Sequence, residues 1–254
     1  MKTLAHILIS AVLTLCDAAT THAQVLQDSC RAADTPAAIL TDQEMAEGWR
    51  SLFDGETFAG WHKYGGGPVG SAWKVEEGAM TLVPGEAEDW KTVSGGDIVT
   101  DDVFENFELS LEWKIAEAGN SGIFYLVDEA ESYDAASDTG LEMQVLDSER
   151  HGDGQWAKHR AGDLYDLIEA DTRTECKVGD WNRVRIVKRG SHVEHWMNGS
   201  LLLTVDLWTD HWDALIAGSK FADWEGFGKL TRGRIGVQDH GDRVWFRDVR
   251  VRTL

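Results

Sequence analysis

Three cysteines, none close to another in the 254-residue chain, provide no paired-cysteine ligand set for a structural zinc. No H-E-x-x-H and no G-x-S-x-G occurs either, which removes the common metalloprotease and serine hydrolase routes. Positive charge is scarce: 24 Lys and Arg stand against 44 Asp and Glu, a formal net charge of -20. Such a surface repels phosphate backbones and anionic lipid heads, so nucleic-acid and membrane-surface partners are not expected. Beyond the N-terminus no apolar run is long enough for a membrane span, and no amphipathic helical stretch of real length is visible.

At the N-terminus, Lys2 precedes an apolar run from Leu4 to Leu15, and Thr21-His22-Ala23 resembles a small-residue cleavage site. Residues 1–23 therefore read as a secretory signal peptide, and the chain as an exported protein of the bacterial periplasm or exterior. Leu13-Thr14-Leu15-Cys16 loosely resembles a lipidation box, but Leu15 is larger than the small residue usual there, so lipoprotein anchoring is the lesser alternative. With Cys16 removed, Cys30 and Cys176 remain, and an exported compartment permits either a bridge between them or two thiols. Residues 24–46 read as an arm or linker, in which Thr41 and Glu44 have capping-box spacing for a short helix. Residues 47–254 form the main domain, and no feature of the chain specifies an oligomeric state.

What is plentiful is short strands and turns. SAWKVEEGAMTLV (71–83) reads as a hairpin across Glu77-Gly78, and VEHWMNGSLLLTVD (193–206) as one across Asn198-Gly199. FELSLEWKI (107–115) alternates apolar and polar residues, as do LEMQVLD (141–147) and RIGVQDHG (234–241). Strands at this spacing argue an all-β fold, a two-sheet antiparallel jelly-roll sandwich of the concanavalin-like kind. The longest irregular piece, 148–180, is expected to wrap one mouth of a groove. Twelve Trp supply core volume and, where exposed, platforms for sugar rings.

Parity decides which side chains share a face. Leu141, Met143 and Val145 point one way, Glu142 and Gln144 the other; Ile235 and Val237 oppose Gln238 and His240. Glu112 and Lys114 form the polar face of their strand, and Asn120 opens NSGIFYLV (120–127). If these faces belong to one sheet, acid, base and amide groups converge in a groove suited to orienting hydroxyls. His159 and His151 lie in the wrapping loop, and His195 faces the core. Asp147 has the opposite parity to Glu142 and is expected to orient the loop that follows. Acidic loops such as DGETF and DEAESYDAASD contain oxygen donors for Ca2+, although such runs are mostly just solvated.

GNSGIFY (119–125), LEMQVLD (141–147), AGDLYDL (161–167), WNRVRI (181–186), EHWMNG (194–199) and GRIGVQDHGDRVWFRDV (233–249) resemble, in order, the pattern of the 3-keto-disaccharide hydrolase family. LFDGETFAGW and WKVEEGAMTL are similar to its N-terminal part, so the resemblance spans about residues 47–254. It implies a concanavalin-like jelly roll acting on carbohydrates already oxidised at C3. A C3 ketone acidifies the C2 hydrogen, so a modest base removes it as the C1 substituent leaves, and added water completes a net hydrolysis. The resemblance implies proton-transfer roles for Glu142 and His240, hydroxyl orientation by Gln144 and Gln238, and ring contacts from Asn120 and Tyr165. Glu112 and His159 are further substrate-binding candidates. Lys114 or a bound divalent metal ion, its ligands unspecified, would stabilise the enolate. The family's strand closes on an arginine where this chain has Leu126, a change that implies the loss of a groove cation.

Two other readings fit the same residues. One is a direct retaining glycosidase, because Glu142, Gln144 and Asp147 resemble the E-x-D-x-x-E strand of concanavalin-like glucanases, with Gln in place of the central Asp. The other is a non-catalytic sugar-binding module.

Overall fold

The computed structural model describes Cys30, residues 40–88 and residues 90–254. The expected signal peptide and most of the arm lie outside the described residues. Helix α1 spans Asp42–Ala46, with the Thr41–Glu44 capping box in place. Strands β1 (Arg50–Ser51), β2 (Trp61–Lys63), β3 (Trp73–Glu76), β4 (Ala79–Leu82), β5 (Ala87–Glu88), β6 (Lys91–Thr92), β7 (Ile98–Thr100), β8 (Phe107–Ile115), β9 (Asn120–Val127) and β10 (Leu141–Leu146) follow. Then come β11 (Asn182–Arg189), β12 (His192–Met197), β13 (Ser200–Asp206), helix α2 (Asp210–Ala217), β14 (Arg234–Val237) and β15 (Val244–Thr253).

Eight strands make one sheet, in the order β13-β12-β11-β8-β15-β4-β3 with β1 against β15. Five make the other, β10-β9-β14-β7-β2, while β5 and β6 form a small ribbon. The fold is thus the all-β, two-sheet antiparallel sandwich expected from the strand spacing. Alternation explains its core: Leu109, Leu111 and Trp113 of the large sheet meet Ile123, Met143 and Ile235 of the small one in one buried cluster. Both two-residue hairpins take positive φ at both turn positions, 51° and 75° at Glu77-Gly78 and 50° and 84° at Asn198-Gly199. That left-handed pair matches the twist of the flanking strands. His195 lies in the core as parity requires, with Nε2 3.0 Å from the Tyr125 hydroxyl. Burial there lowers its pKa to about 4.

Cys30 and Cys176 form a disulfide with Cα atoms 5.8 Å apart, which resolves the two cysteine readings and ties the arm to the sandwich. The eight-residue helix α2 was not visible as a periodic stretch, because it buries little beyond Trp212. Thr209 caps it, and the Trp212 indole donates to the Gly228 carbonyl at 3.0 Å, folding the 207–233 segment back on itself. Although β14 and β15 are consecutive, they lie in different sheets.

Three expectations need correction. Glu112 and Lys114 have the predicted parity, but β8 belongs to the eight-stranded sheet, so they face away from the five-stranded one. The Glu112 carboxylate accepts from Arg183 at 2.6 and 3.0 Å and from Arg247 at 2.9 Å. Lys114 lies over the rings of Trp181 and Trp245, at 4.8 and 4.4 Å. The third concerns Leu126. A register shift between β9 and β14 accompanies its φ of 60°, and both Tyr125 and Leu126 join the core. Leu126 therefore occupies no groove position in this chain.

Glu112→Gln should lower stability by about 2 kcal/mol, less than the full penalty of breaking a buried pair because Arg183 is half exposed. Turnover per folded molecule should stay unchanged. Thermal melts alongside activity check this, and a wild-type melt with lost turnover would return Glu112 to the site.

Candidate active site

The outer face of the five-stranded sheet is floored by β10, β9 and β14. Their register sets Glu142 opposite Phe124 and Gln144 opposite Gly122, while the Gln238 amide donates to the Gly122 carbonyl at 3.0 Å. Period-2 alternation sends Glu142, Gln144, Asn120 and Gln238 out of this floor, into a cavity of about 270 Å³. Tyr165 and His240 line the same cavity, so six of the nine residues expected in the site converge. His159 stands just behind: its ring packs 4.4 Å from that of Tyr165 and its Nε2 is 3.0 Å from Asp166 Oδ1. Glu112 and Lys114 lie on the other sheet.

Two long segments and one short one build the walls. Residues 161–168 cover the edge of β10, since the Tyr165 amide donates to the Glu142 carbonyl at 3.0 Å and the Gln144 amide to the Asp163 carbonyl at 3.1 Å. The wrapping loop therefore extends the sheet and brings Tyr165 over the floor. Asp147 acts at the root of that loop as expected, accepting from the amides of Ala118, Glu149 and Arg150. From the opposite side, the segment after α2 brings Lys220, Phe221 and Trp224. Asp166 accepts the Lys220 amide at 2.6 Å, fixing that segment to the wrapping loop. The Lys220 ammonium lies 4.2 Å over the Tyr165 ring. The third wall is Trp90, whose ring is 4.9 Å from that of His240. Asp239 holds this wall, accepting from the amides of Thr92, Gly96 and Gly241.

Lys220, Trp90, Phe221 and Trp224 were not anticipated, because all four lie in irregular segments where no period marks a face. The only trace is compositional: FADWEGFG packs three aromatics between glycines, an unusual content for a solvated loop.

The electrostatics separate Glu142 from His240 among the four titratable groups of the cavity. Glu142 is only 8% exposed, and no hydrogen bond reaches its carboxylate among the described residues. Loss of solvation pushes its pKa up to about 8, an effect the Lys220 ammonium, partly in water at the rim, offsets only in part. Partial burial moves His240 the other way, below its usual value, with Asp242 opposing that shift and His151 adding to it. At neutral pH the cavity thus holds an un-ionised carboxyl and a neutral imidazole. The Asn120 amide nitrogen lies 3.3 Å from His240 Nε2 and donates to it, leaving Nε2 as the unprotonated ring nitrogen.

The amide oxygens of Asn120, Gln144 and Gln238 are buried without a hydrogen-bond partner among the described residues. Three such acceptors in one cavity call for donors from a ligand, and sugar hydroxyls supply them. With Glu142 they are also hard oxygen donors of the type that Ca2+ or Mg2+ takes. Among the described residues, no group of three or more His, Cys, Asp or Glu converges as a metal site, in the acidic loops or elsewhere.

Gly122 leaves room for the acid, since a Cβ there would sit 2.0 Å from Glu142 Oε1. Gly122→Ala should displace the carboxyl and cut turnover while the sandwich still melts cooperatively; unchanged turnover would show that the carboxyl is not held there. The raised pKa also has a stability signature. A carboxyl that holds its proton to higher pH when folded loses stability as pH rises from its ordinary value near 4.5 towards about 8. For one proton the slope is up to about 1.4 kcal/mol per pH unit. Glu142→Gln should therefore gain on the wild type in melting temperature between pH 5 and pH 8, and a constant difference across that range would contradict a buried neutral acid.

Residues 48–252 match a family described as the 3-keto-alpha-glucoside-1,2-lyase-like domain. A 3-keto-disaccharide hydrolase of Bacteroides thetaiotaomicron is 39% identical over 233 residues, covering 82% of this chain and 79% of that protein. A candidate glycosyl hydrolase from Parabacteroides distasonis superposes with a TM-score of 0.75 at 31% identity, over 85% of this chain and 98% of that one. A second from the same organism gives 0.63 at 28% identity, over 81% and 99%. The chain belongs to the 3-keto-alpha-glucoside-1,2-lyase-like family.

Proposed function

We propose that the protein cleaves the glycosidic bond of 3-keto-glycosides by elimination followed by hydration. The observation that carries this reading is the cavity's pairing of one neutral carboxyl with one neutral imidazole beside three unpaired amide oxygens. Groups whose surroundings push their titrations apart divide naturally into acid and base. His240 Nε2 takes the C2 proton, and the C2–H electrons flow into the C3 carbonyl to give an enolate. The Lys220 ammonium is the cavity's own cation for that oxygen, in the role expected of Lys114. As the enolate collapses the C1–O bond breaks, and the departing oxygen takes the proton of Glu142. Water then adds across C1=C2: Glu142, now ionised, accepts a proton from water as oxygen bonds C1, and protonated His240 returns its proton to C2. Both groups finish as they began, and the sum is hydrolysis.

The leader-like N-terminus and the Cys30–Cys176 bridge support export to an oxidising compartment. A direct retaining glycosidase needs two carboxyls flanking the bond. Among the described residues Glu142 is the one carboxyl lining the cavity, and Asp147 is engaged in its loop. A non-catalytic module would not require the two groups to be held in opposite, reactive protonation states.

Incubation with a glycoside and its 3-keto derivative should release aglycone from the keto form alone; cleavage of the plain glycoside alone would overturn the proposal. The pH profile of kcat/KM should fall on the acid side at a pH below the ordinary histidine range, where His240 gains a proton, and on the alkaline side near pH 8, where Glu142 loses one. In D2O, Glu142→Gln should still exchange the C2 hydrogen of a 3-keto-glycoside without releasing aglycone, whereas His240→Ala should do neither. Lys220→Met should lower kcat on the order of 100-fold.

A further inference from the structure

We infer that the sugar leaving from C1 is bound in a second cavity on the far side of Trp224, with the scissile bond beside Glu142. This rests on the elimination reading above.

The second cavity, about 640 Å³, is lined by Ser132, Tyr133, Asp138, Trp224, Glu225, Gly226 and Lys229. It shares two walls with the catalytic cavity. Trp224 lines both, and in the turn Ala136–Asp138 one residue, Ser137, lines the first while the next, Asp138, lines the second. The partition is rigid. Trp224 meets Phe221 edge-on at 5.0 Å and Phe227 at 6.4 Å, and those two rings stack 3.7 Å apart. Tyr133 packs so closely on Gly226 that a Cβ there would lie 2.5 Å from its ring, which joins the loop after β9 to the loop after α2.

The order of groups along the floor sets the direction of the substrate. His240 adjoins Asn120, at the start of β9. Glu142 lies opposite Phe124, further along that strand, and two residues from Gly140, at the end of the cavity where Ser137 also sits. The acid thus lies between the base and the second cavity. A ring whose C2 faces His240 and whose C1 oxygen takes the Glu142 proton directs its C1 substituent past Trp224. The chemistry of the second cavity suits a neutral, hydroxyl-rich ring. An indole supplies a flat apolar face, the Ser132 hydroxyl donates or accepts, the Glu225 carboxylate accepts from hydroxyls, and Lys229, donating to the Glu225 carbonyl, balances the acids. Asp138 is partly occupied, since its carboxylate accepts the amides of Asp134 and Ala135 at 2.8 and 3.0 Å.

Ser132 and Lys229 are exposed, so a large side chain at either position fills the second cavity without entering the core. Ser132→Trp and Lys229→Trp should each lower kcat/KM for a 3-keto-disaccharide by roughly tenfold or more, an energy of about 1.4 kcal/mol. Turnover of the methyl 3-keto-glucoside, which has no second ring, should be unchanged. Equal losses on both substrates, or no loss on either from both variants, would overturn the assignment. Calorimetry separates this from failure of the reaction itself. If the wild type turns over neither substrate, the disaccharide should still bind roughly tenfold more tightly than the methyl glycoside, and the two variants should abolish that gap. Equal wild-type affinities would refute the second cavity as a sugar site.

Discussion

Strand β9 is hydrogen-bonded on both sides, and its register against β10 and β14 fixes the site. A one-residue slip of β10 would turn Glu142 and Gln144 into the core and bring Met143 and Val145 to the surface. The apolar halves of the three strands prevent that slip, because Ile123, Met143 and Ile235 are locked among the side chains of the eight-stranded sheet. Packing on one face of the sheet therefore dictates polar placement on the other. Gly122 is the local consequence: the central strand is left bare at the point where the acid must lie across it.

That placement has a cost, and the cost is informative. A carboxyl held neutral and three amide oxygens left without donors are worse solvated in the free protein than in water. The remainder of the molecule offsets this with interactions that play no part in the reaction, among them the Glu112 pairing with two arginines and the Cys30–Cys176 bridge. The Glu112 carboxylate of the large sheet is thus satisfied by two arginines, whereas the amide oxygens of Asn120, Gln144 and Gln238 over the small sheet have no partner among the described residues. This difference separates structural from functional polarity, which residue type alone does not.

The same contrast explains what was legible in the sequence. Alternation assigned Glu142, Gln144, Gln238 and His240 to outward faces, because a strand's period is local and survives in any tertiary setting. It also placed Glu112 and Lys114 on an outward face, correctly, but parity carries no information about which of two sheets a strand joins. That choice depends on the non-local pairing of β8 with β11 and β15. Leu126 shows a second limit, since a bulge resets parity within a strand and leaves no pattern in a single sequence. The walls were least legible. Lys220, Trp90 and Trp224 reach the cavity through loops whose course is set by single contacts such as Asp166 to the Lys220 amide and Asp239 to three amides.

Those contacts give the walls a division of labour. The segment that follows Trp90 is tied by amide-to-carboxylate bonds from Thr92 and Gly96 to Asp239, the residue next to His240, so the wall beside His240 is anchored to the chain leaving β14. Lys220 is held through Asp166, which also bonds His159 behind Tyr165, so the cation and the ring it covers move as one piece. His240 is therefore set by the sheet, while Lys220 is set by the contact between two loops. A rigid base and a loop-borne cation suit a reaction in which C2–H must be aligned before charge appears on the C3 oxygen. In the proposed elimination the more constrained group would serve the first step and the more adaptable one the point where charge develops.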